Sequence, residues 1–219
     1  MSTVLTKNLS LPPVCEKEVL RYAGCRQPEE GTEGLLSSCL QEAKSVITGR
    51  VCYTVLPVTV LEDTCDFGAF SVTSRHLAET LRGCEKTLLF AATVGVGLDR
   101  LIAKYSRISP AKALMLQAIG AERIEALCDA FSREFSHEQG VFLRPRFSPG
   151  YGDLPLSLQK EIFALLDCPR TIGLTLTDSL LMSPTKSVTA FAGLTEEKAG
   201  DTIKCARCEK TDCVYRGAI

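Results

Sequence analysis

The chain has 219 residues, enough for one large domain, or a domain with a small appendage, around a substantial buried core. Its 45% hydrophobic and 23% charged residues are ordinary for a globular protein, and a formal net charge of −1 offers no attraction for nucleic acid or an anionic membrane surface. The longest apolar runs, such as Thr87–Val94, are far too short to span a bilayer, and the opening MSTVLTKNLSLPP lacks the basic-then-apolar pattern of a secretory signal, so a soluble cytoplasmic protein is expected.

In chain order, Ser10-Leu-Pro-Pro leads into a short helix, EKEVLRYAG, that stops at Gly24. Apolar residues at helical spacing from Leu35 to Ile47 predict a second helix. Residues Val51–Leu61 are β-branched and alternating, and read as one strand with Pro57 at a bend or an edge. DFGAFSVTS reads as a short second strand, after which Ser74 caps the helix RHLAETLRGC. KTLLFAATVG is a continuous apolar strand running through Gly95 and Gly97 into the helix LDRLIAKYS.

Ser109-Pro110 opens the longest helix, roughly 111–137, with Leu114, Leu116, Ile119, Ile124, Leu127, Cys128 and Phe131 as its buried face. The loop RFSPGYGDLP follows, then a helix at about 156–166. TIGLTLTDSLLMSPTKSVTAFAGL reads as two strands around a Ser183-Pro184-Thr185-Lys186 turn. The order of elements predicts an α+β fold with a mixed, largely antiparallel central sheet flanked by helices. The expected division is one domain over residues 1–200, its helical start at about 10–48 included, and a cysteine-rich tail over 201–219.

Seven of the eleven cysteines fall into two groups. Cys39, Cys52, Cys84 and Cys128 sit in apolar contexts and read as small buried hydrophobes in a reducing compartment. Cys205, Cys208 and Cys213 form Cys-x2-Cys-x4-Cys in a polar tail with Lys204, Arg207, Lys210 and Arg216 nearby, cations that favour thiolates. Such a triplet suits an iron–sulfur cluster or zinc with a fourth ligand from elsewhere, Cys168, Cys65, Cys25 or Cys15 being the candidates. Unligated thiols or a redox pair are the alternative.

Gly95-Val96-Gly97 has the look of a dinucleotide-binding turn, but the third glycine's position holds Arg100, so a plain strand-to-helix turn is the default. His76 and His137 are the only histidines, and neither has a serine or cysteine in a recognisable nucleophile context, which leaves a Ser-His or Cys-His hydrolase little to build on. In the loop, Pro149-Gly150-Tyr151-Gly152 fixes the backbone course. The Arg146 guanidinium suits a carboxylate, and the Tyr151 ring suits a cationic ligand group. On these residues alone, connector and small-molecule site stand even.

RFSPGYGDLP, followed about thirty residues later by TDSLLMSPTKSVTAFAG, resembles the reactivation (activation) domain of cobalamin-dependent methionine synthase. That domain has an Arg-x-Ala-Pro-Gly-Tyr-Pro loop and a Met-x-Pro-x-x-Ser-Val-x-Gly hairpin. The helix SPAKALMLQAIGAERIEALCDAF resembles the family's long helix, and the resemblance spans roughly residues 85 to 195. It implies a domain that binds S-adenosylmethionine beside the cobalt, where one-electron reduction and methyl transfer restore methylcobalamin from cob(II)alamin. By position, Arg146 would bind the S-adenosylmethionine carboxylate, Ser148 and Gly150 would lie along the ligand, and Tyr151 would stand next to the ligand and the corrin. The hairpin's contacting pair falls on Ala192 and Gly193, where the full-length enzymes have aromatics. Gly152 replaces a family proline, which implies a looser loop, and the family's amino-terminal ligand-contacting aspartate has no match.

The resemblance therefore implies a positioning device without a general acid or base, acting in trans on the cobalamin-bearing modules of methionine synthase or on another corrinoid protein. Its partners would include an electron donor such as flavodoxin or ferredoxin, and the cysteine tail could relay the electron. The alternative is a non-catalytic binding or assembly module with a structural metal in that tail.

Overall fold

The computed structural model describes residues 3–25 and 30–196. The core is an antiparallel five-stranded sheet of order β1-β2-β6-β10-β7. Its strands are β1 (Leu5–Leu9), β2 (Gly49–Pro57), β6 (Lys86–Thr93), β7 (Phe142–Leu143) and β10 (Ser187–Thr195). β6 lies at the centre and is buried from Thr87 to Thr93, because helices cover both faces of the sheet.

On one face lie α1 (Glu16–Tyr22), α2 (Thr32–Lys44), α4 (Val96–Ile108) and α5 (Pro110–Gln139), whose apolar residues merge with Val51, Leu88, Phe90 and Ala192 of the sheet. On the other lie α3 (Arg75–Leu81), α6 (Gln159–Leu166) and α7 (Cys168–Thr171), packed on Cys52, Leu56, Leu89 and Phe191. This is the α+β architecture expected, in three layers.

α5 is the spine of the first layer. Pro110 sits in its first turn, where a missing N–H costs nothing, and Gly140 ends it in the left-handed conformation. Buried within it are Glu122 and Arg123, which pair with each other. Arg123 donates to the carbonyls of Pro12 (2.6 Å) and Pro13 (3.2 Å), and Glu122 accepts from the Cys15 N–H (3.0 Å). The Pro-Pro segment before α1, which has few donors of its own, is thereby fastened to the spine. Cys39, Cys52, Cys84 and Cys128 are all buried, as their contexts predict.

Several expectations are revised. β1 carries no alternating apolar signal, since it is a largely exposed edge strand, yet it pairs with β2 from Leu5↔Tyr53 to Leu9↔Gly49. The single strand expected over Val51–Leu61 is two: Pro57 ends β2, and β3 (Thr59–Leu61) joins a separate small sheet with β4 (Thr64–Asp66) and β5 (Ser71–Thr73). DFGAFSVTS therefore contains a turn between β4 and β5 rather than one strand. Leu114, expected in the buried face of α5, is 56% exposed, while Ala113 and Met115 point inward instead.

The Ser183–Lys186 turn does not close a hairpin. β9 (Met182–Ser183) pairs with β8 (Thr175–Leu176), whereas β10 pairs with β6 and β7. The turn, which contains a cis Ser183-Pro184 bond, therefore passes the chain from one sheet to another. Asp99 in the first turn of α4 holds it, accepting from the Thr185 N–H and hydroxyl at 2.7 Å each. The dinucleotide reading of Gly95-Val96-Gly97 is also set aside. Both neighbours of β6 are antiparallel to it, so no parallel βαβ unit exists there.

Candidate functional site

The loop 144–155 is built onto the edge of β10. The Arg144 N–H donates to the Gly193 carbonyl (2.8 Å), and Phe147 and Phe191 exchange both backbone hydrogen bonds (2.9 and 2.8 Å). The two motif segments are thus side by side, the loop bridged to β10 at Phe147 and Phe191. Phe147 packs into the cluster of Phe191 and Phe67, whose rings stack at 5.1 Å, so the pleat turns Arg146 to the opposite face, toward α5.

There Arg146 meets two carboxylates one helical turn apart. Its Nη1 lies 2.5 Å from Asp129 Oδ1 and its Nη2 lies 2.8 Å from Glu125 Oε2. The guanidinium side chain is only 12% exposed, whereas the two acids are 44% and 47% exposed. Arg146 is therefore a tie between the loop and the spine helix, and any incoming carboxylate would share it with that acid pair.

Beyond Arg146 the chain makes two consecutive turns. The Tyr151 N–H donates to the Ser148 carbonyl (3.1 Å) around Pro149-Gly150, with Gly150 at φ +89°, the requirement of a type II turn. The Leu154 N–H then donates to Tyr151 (3.0 Å), and the Gly150 N–H reaches back to the Leu154 carbonyl (2.9 Å). The result is a compact knot with the Tyr151 side chain at its apex, 68% exposed.

Gly152 is not a source of looseness. Its φ of +55° is closed to proline, and a Cβ there would stand 2.6 Å from His76 Nδ1. The next residue, Asp153, fastens the knot to the start of α3. Its carboxylate accepts from Ser74 Oγ (2.5 Å), the Arg75 N–H (2.7 Å), the His76 N–H (3.3 Å) and His76 Nδ1 (3.1 Å). Ser74, as predicted, caps α3, accepting from the Leu77 N–H at 3.2 Å. The Ser74 hydrogen bond, with the two backbone N–H groups, holds the Asp153 carboxyl down at about 2. Ser74, Asp153 and His76 do not form a nucleophile triad, because the serine hydroxyl gives its proton to the carboxylate and not to the imidazole.

Ala192 and Gly193 lie in the interior of the sheet. Ala192 is fully buried on the α5 side. At Gly193 a Cβ would stand 2.6 Å from Cys84 Sγ and 3.0 Å from Leu81 Cδ2, so an aromatic has no room. These two residues brace the base of the loop and present no surface to a ligand. Cys205, Cys208 and Cys213 lie outside the described residues. Of the candidate fourth ligands, Cys65 and Cys168 are enclosed in the α3/α6 layer. Burial raises the Cys65 thiol to about 11, and donation of a hydrogen bond to Cys52, followed by burial, raises that of Cys168. Cys15 is exposed and Cys25 half-buried, which leaves them the accessible pair. Among the described residues no helix is long and apolar enough to cross a membrane, and no cluster of three or more metal-ligating side chains occurs.

Arg146 and Tyr151 are read from the sequence as site residues, whereas Glu125, Asp129 and Asp153 are not, and Ser74, read as a helix cap, and His76 are not tied to the loop there. The four-residue spacing of Glu125 and Asp129 on a predicted helix was a visible signal for a cation site. Nothing in the sequence links Asp153 to residues nearly eighty positions earlier.

Fold and loop together define a three-layered mixed α+β domain with a compact loop set on the edge of its central sheet. A family model for the activation domain of vitamin B12 dependent methionine synthase matches residues 73–213, and the chain belongs to that family. In fold it is similar to a crystal structure of the MetH reactivation domain bound to AdoHcy, at 13% identity and a TM-score of 0.64, over 90% of this chain and 80% of that one. No curated protein matches the chain.

Proposed function

We propose that this chain binds S-adenosylmethionine at the 146–151 loop and supports reductive remethylation of a corrinoid cofactor carried by methionine synthase modules or another corrinoid protein. The observation that carries the reading is the family loop itself, set with Arg146, Ser148, Gly150 and Tyr151 on a rigid strand edge. The similar MetH domain was solved with AdoHcy, which is S-adenosylmethionine without its methyl group, and this supports the choice of ligand.

S-adenosylmethionine would supply the methyl group and an outside reductant the electron. The task left to this chain is positioning, for which it has suitable parts. Arg146 offers a guanidinium that the ligand carboxylate would share with Glu125 and Asp129, the 148–151 turn offers a fixed backbone edge, and Tyr151 offers an exposed ring for the sulfonium or the corrin face. The reductant is of the flavodoxin or ferredoxin class. The Cys205-x2-Cys208-x4-Cys213 motif supports an iron–sulfur cluster as relay, or zinc in its place. Iron, sulfide and zinc analysis of anaerobically purified protein decides between the two, and absence of all three rejects both.

Calorimetric titration with S-adenosylmethionine tests the main reading. Wild type is expected to bind one equivalent, and Arg146→Ala to weaken binding at least about tenfold. A folded wild type that takes up no S-adenosylmethionine overturns the function. Undiminished binding by Arg146→Ala overturns the residue assignment.

A further inference from the structure

We infer that Asp153 is the positioning residue of the ligand loop, acting with Ser74 and His76 as a latch that holds residues 148–154 in a preformed course. The inference rests on the proposed function of that loop. Gly152 stands where the loop motif has proline, and the geometry gives a reason for glycine there.

Proline there would fix φ near −65° and carry the chain away from α3. Glycine at φ +55° turns it toward α3 and leaves the space that the His76 ring occupies. That turn delivers the Asp153 carboxylate to four donors at once: one hydroxyl, two backbone N–H groups and His76 Nδ1. Because Nδ1 faces a carboxylate, it carries the proton, and the imidazole is oriented with Nε2 toward Arg75 Nη2, 3.5 Å away. The loop is then fixed at both ends, by Arg146 to α5 on one side of β10 and by Asp153 to α3 on the other.

Between the two anchors stand Ser148, Gly150 and Tyr151, the residues assigned to the ligand. The carboxylate latch gives this loop a stiffness that glycine at position 152 does not supply by itself. Its consequence for binding is a population effect: a loop that keeps its bound course only one time in ten loses about tenfold in apparent affinity.

The test uses the full chain. Wild type, Asp153→Ala and Asp153→Asn are compared by hydrogen exchange over residues 148–155, by thermal melting and by calorimetric titration with S-adenosylmethionine. Asp153→Ala is expected to speed exchange at the Tyr151 and Leu154 amides at least tenfold, leave the β6 amides protected, and weaken binding about tenfold. Asp153→Asn, which keeps one acceptor oxygen, is expected to recover part of both losses. A purely structural residue would shift the melting temperature and leave affinity unchanged in the folded protein. Unaltered loop exchange in Asp153→Ala overturns the latch, and looser exchange with unaltered affinity overturns its positioning role. If wild type itself fails to bind, the functional reading falls and with it the positioning role, while the exchange arm decides the latch alone. Should Asp153→Ala fail to fold, His76→Ala, which removes one donor of the four, is expected to show the same changes at smaller amplitude.

Discussion

Replacing Arg146 by alanine tests whether the loop is fastened to α5 in the way the geometry indicates. The guanidinium is largely buried, but Glu125 and Asp129 each remain nearly half in water, so each pair ranks above an exposed ion pair and below a buried one. An allowance of about 1 kcal/mol for each is reasonable on that scale. Removal also leaves two like charges at i and i+4 on one helix face, worth about 0.3–0.5 kcal/mol of repulsion. The expected loss is about 2–3 kcal/mol, or a fall of roughly 5–10 °C in melting temperature for a chain of this size. Differential scanning calorimetry in low salt measures it. Neutralising the acids in the same background, as Glu125→Gln with Asp129→Asn, should return the repulsive part. A melting temperature within about 1 °C of wild type would refute the tie, because two carboxylates cannot lose a mostly buried guanidinium partner at no cost.

Restoring the family residue by Gly152→Pro is expected to destabilise this chain by more than about 3 kcal/mol, since φ +55° is closed to proline and the ring would meet His76; urea denaturation reads the change. The Asp153 carboxyl, ordinarily at 3.8, lies at about 2 in the folded protein. A depressed carboxyl stabilises above its unfolded value and ceases to do so as pH falls through the folded one. The melting-temperature gap between wild type and Asp153→Asn should therefore be constant above pH 4 and close as pH falls from about 3.8 to 2. Arg123→Ala strands the buried Glu122 carboxylate and the Pro12 and Pro13 carbonyls, and should cost about 3–5 kcal/mol by urea denaturation.

Much of the fold follows from local pattern. The continuous apolar run of β6 marks a strand covered on both faces, and Ser109-Pro110 with Gly140 brackets the longest helix. Ser74 caps α3 as its residue type requires. These features are set within a few residues of chain, so periodicity and capping chemistry suffice to read them. The loop motif is likewise a local signal, and it led to the right family.

What only the tertiary structure decided is which residues meet across long separations. β1 was hidden because an exposed edge strand has no apolar alternation, and the bend marked by Pro57 did not show that β3 joins another sheet, because a strand cannot announce which sheet it joins. The burial of Ala192 and Gly193 depends on the packing of α5, Cys84 and Leu81 against β10. Arg146 reads in the sequence as a lone cation; folding gives it two carboxylates from a helix about twenty residues away. Gly152 reads as slack; folding makes it the clearance for His76 and the approach for Asp153. Residue type states what a side chain can bond to, and the partner is fixed only when hydrophobic burial brings distant segments within hydrogen-bond reach.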